Sequence, residues 1–194
     1  MQVTAAQERT RVVLASSSPR RAELLRAAGI AFDVLPADVD ETPLPDESAD
    51  THVRRLAEAK ARAAVTKRPD AVVLGADTVV VVDGRILGKP TDPDDAVMML
   101  GALSGRAHEV LTAVAVIAKS TTVHVDICCT RVWVSPLSAD EIAWYVASGE
   151  PIDKAGAYAI QGLGSRFIER IDGSYSNVVG LPVALVYRLL RAVS

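Results

Sequence analysis

The pattern of apolar and polar positions predicts short buried strands that alternate with helices. Apolar runs at residues 11–15 and 32–35 predict two strands, and a helix over residues 19–28 lies between them. The run at residues 71–82 is β-branched and apolar over almost its whole length, which is typical of a strand covered on both faces. These runs predict the core of a sheet.

Helical periodicity, capping residues and turn residues predict the remaining elements. Further helices are expected over residues 49–66, 93–103, 139–148 and 182–193, the third of them begun by a capping box of Ser138 and Glu141. Further strands are expected at residues 85–87, 110–118, 122–134, 167–171 and 177–179, with hairpin turns at residues 83–84 and 119–120. Val97 belongs to the expected core face of the helix at residues 93–103.

Length and composition indicate one globular domain. The first ten residues are polar and lack the apolar segment of a secretory signal, so we expect a frayed extension over residues 1–10 and a single domain over residues 11–194. A net charge of −3 argues against nucleic acid and anionic membranes as partners, and no apolar run is long enough to span a bilayer. Cys128 and Cys129 are neighbours on a predicted strand and point to opposite faces, which favours a reducing, cytoplasmic setting.

The turn between the first strand and the first helix is rich in hydrogen-bond donors. It contains Ser16, Ser18, Arg20 and Arg21 around the proline that begins the helix. Unpaired N–H groups at a helix N-terminus and planar guanidinium groups both suit phosphate oxygens. The glycine spacing of a Walker A loop is absent. Two interpretations stay open: a phosphate site, or a turn in which Ser18 caps the helix and both arginines are solvated.

Two charged residues interrupt apolar patterns. Asp77 lies in the middle of the run at residues 71–82, where a carboxylate is paired, metal-bound or catalytic, and Gly75 indicates a bulge or a close backbone approach. Lys60 falls on the apolar face of the helix over residues 49–66, so its ammonium either reaches a partner or extends to the rim. Lys89 follows the return strand and either shares the Asp77 site or is an exposed turn lysine.

Polar residues in two loops complete the candidates. Glu41 lies in an acidic loop after the second strand, where it could hold a metal near a phosphate, although most of that loop's carboxylates are expected to be solvated. Lys154 and Gln161 lie in a glycine-containing segment that predicts tight loops along a pocket. The Gln161 amide could read a base edge or be an ordinary polar group in a turn. His108 has no second His or Cys nearby, so a structural role is expected.

The motifs together resemble the Maf family of nucleoside triphosphate pyrophosphatases. The matching motifs, in chain order, are SSSPRR at 16–21, EAKAR at 58–62, GADT at 75–78, GKP at 88–90, DKAGAYAIQG at 153–162 and SYSNVVGLP at 174–182. The resemblance runs from about residue 12 to residue 190. It implies an α/β fold with a mixed sheet flanked by helices, similar to the inosine triphosphate pyrophosphatases, with two lobes around a central cleft and commonly a homodimer.

The resemblance also implies a reaction and roles for single residues. The reaction is hydrolysis between the α- and β-phosphates of a nucleoside triphosphate, assisted by Mg²⁺ or Mn²⁺. Asp77 is expected to activate the water and, with Glu41, to bind the metal. The residues expected to hold the phosphates are Arg21, Lys60 and Lys89, with Ser16 and Ser18 adding donors; Lys154 is a further substrate-binding candidate.

Three positions match the family branch that acts on dTTP and UTP. They are Arg20, Thr78 and Gln161, which the resemblance identifies as specificity positions. Two alternatives stay open. One is a pyrophosphatase for purine nucleotides or 7-methyl-GTP, and the other is a nucleotide-binding regulator of septum formation with little turnover.

Overall fold

The computed structural model describes residues 12–118 and 122–193, which form seven strands and six α-helices. The strands are β1 (Val12–Leu14), β2 (Phe32–Val34), β3 (Val72–Val82), β4 (Arg85–Leu87), β5 (Ala107–Ala118), β6 (Thr122–Val134) and β7 (Ile168–Asp172). The α-helices are α1 (Pro19–Ala27), α2 (Ala49–Val65), α3 (Pro93–Leu103), α4 (Ala139–Ala147), α5 (Tyr175–Val179) and α6 (Val183–Ala192). Short 3₁₀ helices at Glu150–Asp153, Ala155–Ala157 and Gly162–Phe167 connect α4 to β7.

The strands form one mixed sheet in the order β2–β1–β3–β5–β6–β7, and β4 pairs with the end of β3. β1 is parallel to both β2 and β3, whereas the pairs β3–β4, β3–β5, β5–β6 and β6–β7 are antiparallel. Helices flank both faces, which confirms the predicted mixed α/β architecture. β3 is the strand at which the parallel and antiparallel parts of the sheet meet.

The apolar core consists of three clusters that surround β3. One face of the sheet packs against α2, and the other packs against α1 and α6. A further cluster surrounds the distal end of β3 together with α3, α4 and the 3₁₀ segment. Representative residues of the three clusters are Val53, Ala57 and Val73; Leu25, Leu74 and Val186; and Val80, Leu100 and Tyr145.

The predicted strand at residues 177–179 is wrong, because these residues belong to the short helix α5. The Ser174 side chain caps that helix by accepting a hydrogen bond from the Asn177 backbone. Asn177 is fully buried, and its amide donates to the Val110 carbonyl and to Thr130. Gly180 ends the helix with a φ of +127°. Tertiary hydrogen bonds thus override the β-propensity of the two valines.

Smaller differences concern element ends and one face. β5 begins at Ala107, three residues before the expected start, and Val97 on α3 is 41% exposed rather than part of the core. The expected turn at Lys119 and Ser120 and the expected extension over residues 1–10 lie outside the described residues. Within the described part of the chain, no helix combines the length and the apolar character needed to cross a membrane.

Candidate active site

The structure brings every sequence-predicted site residue to one cleft, which has a volume of about 660 Å³. The cleft lies beside the middle of β3, between the core clusters. The predicted residues that line it are Ser16, Ser18, Arg20, Arg21, Glu41, Lys60, Asp77, Thr78, Lys89, Lys154 and Gln161. They come from segments that are far apart in the sequence, so their convergence supports a single functional site.

Lys60 connects two carboxylates in this cleft. Its Nζ atom lies 2.7 Å from Asp77 Oδ1 and 2.5 Å from Glu41 Oε1. The side chains of Lys60 and Asp77 are each only 9% exposed, whereas Glu41 is 53% exposed. Burial opposes ionisation of Glu41, but the Lys60 hydrogen bond and nearby positive charges outweigh it and lower the Glu41 pKa. Lys60 is therefore a buried ion-pair partner and does not extend to the rim.

Gly75 explains how Lys60 on α2 reaches Asp77 on β3. A Cβ atom at Gly75 would overlap the Ala57 carbonyl and the Ala61 backbone on α2. The β3–β5 register continues regularly through Gly75 and Ala115, so the predicted bulge is absent and the predicted close approach is confirmed. The glycine allows α2 to lie against the strand and places the lysine over the carboxylate.

Glu47 connects the loop that carries Glu41 to α2, although most carboxylates of this acidic loop were expected to be solvated. The Glu47 side chain is 3% exposed, and it accepts hydrogen bonds from Arg55 Nε at 2.6 Å and from the Leu44 backbone at 3.1 Å. It also lies 2.9 Å from His52 Nδ1. These contacts, with the Arg55 hydrogen bond as the main cause, lower the Glu47 pKa. No local sequence signal distinguishes Glu47 from its acidic neighbours.

Arg21 is a buried connector of three segments. Its Nε donates to the Gly180 carbonyl at 2.8 Å, Nη1 donates to Ser16 Oγ at 3.1 Å and to the Ala76 carbonyl at 2.8 Å, and Nη2 donates to Thr78 Oγ1 at 3.1 Å. Burial lowers the Arg21 pKa, and nearby carboxylates partly offset that effect. Four hydrogen bonds leave one of the five guanidinium N–H groups for a ligand. The interpretation of both arginines as solvated residues is wrong.

The alternation of β3 separates the surroundings of Asp77 and Thr78. Neighbouring strand residues point to opposite faces, so Asp77 meets Lys60 on the α2 side and Thr78 meets Arg21 on the α1 side. Thr78 Oγ1 also lies 2.9 Å from Thr112 Oγ1 on β5. Two adjacent residues thereby organise the two walls of the cleft.

Arg20 and Lys154 share Asp153, a residue of the cleft that was not among the predicted site residues. Arg20 Nη1 lies 2.7 Å from Asp153 Oδ2, and Lys154 Nζ lies 2.5 Å from Asp153 Oδ1. Burial raises the Asp153 pKa, but hydrogen bonds from Lys154 and Arg20 outweigh it, and the net pKa is about 2. The carboxylate thus links the start of α1 to the 3₁₀ segment across the cleft.

The remaining predicted residues occupy the turn and the rim. Ser18 is the N-cap residue of α1, but within the described residues its hydroxyl makes no capping hydrogen bond, and its backbone N–H donates to Ser16 Oγ at 3.2 Å. The interpretation of Ser18 as a side-chain cap is therefore wrong. Lys89 and Gln161 are exposed and line the cleft.

His108 lies in the core beside the cleft, not in it. Its Nε2 atom is 2.8 Å from the Tyr158 hydroxyl, and the residue is 2% exposed. Burial lowers the His108 pKa to about 4. Tyr158 itself lines the cleft, so the pair supports the wall of the site, which agrees with the expected structural role.

The donor set suits a divalent cation that shares its coordination with a ligand. Among the described residues, no group of three or more His, Cys, Asp or Glu side chains could enclose a metal ion. Glu41 and Asp77 lie on the same wall of the cleft, where a carboxylate oxygen of each contacts Lys60 Nζ. One or two carboxylates completed by phosphate oxygens and water are the usual protein environment of Mg²⁺.

Solved structures define the fold class. The Ham1 protein of Staphylococcus aureus matches with a TM-score of 0.52 at 15% identity, over 94% of this chain and 98% of that one. A HAM1 protein from Coxiella burnetii matches with a TM-score of 0.52 at 16% identity, over 94% and 97%. The chain therefore has the fold of the Ham1 proteins.

Sequence comparison gives the family. The family model described as Maf-like protein matches residues 11–193, so the chain belongs to the Maf family. Proteins named dTTP/UTP pyrophosphatase are similar over most of both chains. That of Methylobacillus flagellatus is 53% identical over 94% of this chain and 92% of its own, and that of Anaeromyxobacter dehalogenans is 53% identical over 93% of each. That of Citrifermentans bemidjiense is 50% identical over 94% and 95%.

Proposed function

We propose that this protein hydrolyses dTTP and UTP to the nucleoside monophosphate and pyrophosphate. The observation that carries the proposal is the buried Lys60–Asp77 ion pair, which lies in a cleft that also presents Glu41 and several cationic side chains. The names of relatives about 50% identical over almost the whole chain support the same activity.

Asp77 has the chemistry and the location of the general base. Its carboxylate accepts a proton from a water molecule as the water oxygen bonds to the α-phosphorus. The bond between the α-phosphorus and the α–β bridging oxygen breaks, and pyrophosphate leaves with that oxygen. Lys60 holds Asp77 in place at 2.7 Å, so the carboxylate does not need to reorganise during the reaction.

The phosphate chain has positive partners on the cleft walls. Lys89 is exposed and free to turn toward phosphate oxygens, and Ser16 and Ser18 lie at the N-terminus of α1. Arg21 contributes its remaining N–H group and fixes the shape of the turn. Glu41 and Asp77 would hold a divalent cation, Mg²⁺ or Mn²⁺, which when bound neutralises phosphate charge and polarises the reacting phosphoryl group.

Arg20, Thr78 and Gln161 are proposed to read the base. The pairing edge of uracil and thymine offers an acceptor, a donor and an acceptor, which a glutamine amide and a guanidinium can match. Gln161 is exposed at the rim, and Arg20 and Lys154 are oriented by the same Asp153 carboxylate. Selectivity against purines would follow from unpaired polar groups when the wrong base is present.

The test is pyrophosphate release from purified protein with Mg²⁺ or Mn²⁺ across dTTP, UTP, CTP, GTP, ITP and 7-methyl-GTP. Reaction in ¹⁸O-labelled water adds the position of attack, since attack at the α-phosphorus leaves the label in the monophosphate. We expect preferential release from dTTP and UTP with labelled monophosphate. Preference for another base would overturn the assigned specificity. Label in pyrophosphate would show attack at the β-phosphorus and overturn the assigned attack at the α-phosphorus.

One further outcome discriminates an enzyme from a regulator. Tight binding of a triphosphate that remains intact with Mn²⁺ would contradict hydrolysis and support a nucleotide-binding regulator of septum formation.

The proposal also includes a homodimer. Sedimentation velocity of the purified protein measures this oligomeric state.

A further inference from the structure

The segment that carries Gln161 is held from both sides by one pair of side chains, the buried Tyr145 and the half-buried Glu150. On its N-terminal side, the Ala159 backbone N–H donates to the Tyr145 hydroxyl at 3.1 Å. On its C-terminal side, the Leu163 N–H donates to Glu150 Oε2 at 3.0 Å and the Gly164 N–H donates to Glu150 Oε1 at 2.9 Å. The Tyr145 hydroxyl in turn donates to Glu150 Oε1 at 2.8 Å, which closes the network.

One member of this network is anchored in the protein core. Tyr145 is fully buried on α4, and its ring packs edge-on against Phe167. Burial opposes ionisation of Glu150, but its hydrogen bonds from Gly164, Leu163 and Tyr145 outweigh it and lower the Glu150 pKa. The Glu150 carboxylate therefore accepts charge-assisted hydrogen bonds, which are stronger than neutral ones.

The two glycines after Gln161 are required by the same pair. A Cβ atom at Gly162, which has a φ of +68°, would overlap the Glu150 carboxylate. A Cβ atom at Gly164 would overlap the Tyr145 hydroxyl and the Ala159 carbonyl. The two glycines thus allow Glu150 and Tyr145 to approach the backbone closely.

Gln161 itself depends on this support. It is exposed, and within residues 12–118 and 122–193 no side chain or backbone group forms a hydrogen bond with its amide. The backbone from which that side chain extends is held by the contacts at residues 159, 163 and 164. A site that recognises a ligand by hydrogen bonds needs such fixed geometry.

We propose that Tyr145 and Glu150 are positioning residues that determine base discrimination through Gln161. The inference rests on the proposed function for the nature of the ligand, a nucleotide whose base Gln161 contacts. Neither residue is among those that line the cleft, so their effect on the ligand passes through the segment that they hold.

The test measures base discrimination by binding and by turnover in the same set of proteins. Calorimetry gives the affinity ratio for α,β-methylene-UTP over α,β-methylene-GTP, and pyrophosphate release gives the ratio of kcat/KM for UTP over GTP. The variants are Tyr145→Phe, Glu150→Gln, Gln161→Ala and the double variant Tyr145→Phe/Gln161→Ala. Ser138→Ala is the matched control, because it removes the N-cap of α4 at the end opposite Tyr145.

We expect Tyr145→Phe and Glu150→Gln each to reduce both ratios about tenfold, because each variant weakens a hydrogen bond that holds the segment carrying Gln161. Gln161→Ala reduces them at least as much, and Tyr145→Phe adds nothing in the Gln161→Ala background. Ser138→Ala lowers thermal stability and leaves the ratios unchanged.

Unchanged ratios in folded Tyr145→Phe and Glu150→Gln proteins would overturn the inference, as would an equal effect of Tyr145→Phe with and without Gln161. A wild-type protein that binds both analogues equally would also overturn it. Base-selective binding without pyrophosphate release would contradict only the proposed hydrolysis.

Discussion

Lys60 Nζ lies 2.7 Å from Asp77 Oδ1, and both side chains are 9% exposed. A buried ion pair is a weak source of stability, because removing two charges from water costs about as much as their attraction returns. Its presence beside a cleft is therefore better explained by function than by folding. The pair holds a carboxylate ready for proton transfer and keeps an ammonium within reach of Glu41.

Asp77→Asn is expected to reduce turnover by roughly 10²–10⁴-fold, because the amide retains the shape of the side chain but accepts no proton from water. Nucleotide affinity should change little without metal. Steady-state pyrophosphate release and calorimetry measure the two quantities separately. Glu41→Gln serves as the comparison, since it removes a carboxylate from the same cluster without removing the proposed base. Turnover near that of the wild type in Asp77→Asn would exclude the base role.

Lys60→Met is expected to destabilise the protein by about 3 kcal/mol, because it leaves the Asp77 carboxylate buried without its partner. Adding Asp77→Asn to that variant removes the uncompensated charge, so the double variant should be more stable than Lys60→Met alone. Urea unfolding of the four proteins at pH 7 gives the coupling free energy. Additive effects would show that the two side chains do not interact energetically, and the pair would then need another explanation.

Arg21→Lys is expected to lower the free energy of unfolding by about 2 kcal/mol or more, because an ammonium cannot replace four directed guanidinium hydrogen bonds. The neighbouring Arg20→Lys is the matched control. Arg20 forms a partly exposed ion pair with Asp153, so its replacement should change stability by less than about 1 kcal/mol. Equal losses of stability in the two variants would contradict the connector role of Arg21.

The sequence predicted the site better than it predicted the network that supports it. Asp77 and Lys60 stand out because each places a charge within an apolar pattern, and such a conflict is visible without a structure. Glu47 stands among several acidic neighbours, and only the folded loop shows that its side chain is buried against Arg55. A contact such as that of Glu47 with Arg55 cannot be predicted from the local sequence, because neither residue interrupts the pattern around it.

The error at residues 177–179 has the same origin. Asn177 and two valines form a short run whose local preference is for a strand. The hydrogen bonds from Asn177 to Val110 and Thr130 belong to β5 and β6, more than 40 residues away in the sequence. Local preference spans about 1 kcal/mol per residue, so buried hydrogen bonds of this kind can reverse it.

Acid should destabilise the protein through His108. The unfolded chain binds a proton on this histidine below its ordinary pKa of 6.5, whereas burial keeps the folded histidine neutral until the pH approaches about 4. The contribution of His108 to the free energy of unfolding is therefore fully present above pH 6.5, and it is lost as the pH falls toward 4. Between pH 7 and pH 5 this single group should lower the free energy of unfolding by about 2 kcal/mol.

Urea unfolding of the wild type and of His108→Gln at both pH values checks this expectation. Glutamine can still donate to the Tyr158 hydroxyl but does not titrate, so the variant should lose about 2 kcal/mol less than the wild type on acidification. Tyr158→Phe is the control, because it removes the hydroxyl that lies 2.8 Å from His108 but leaves the buried imidazole. It should be less stable at both pH values and keep the wild-type pH dependence. Parallel pH dependences in the wild type and His108→Gln would mean that His108 is protonated equally in the folded and unfolded states.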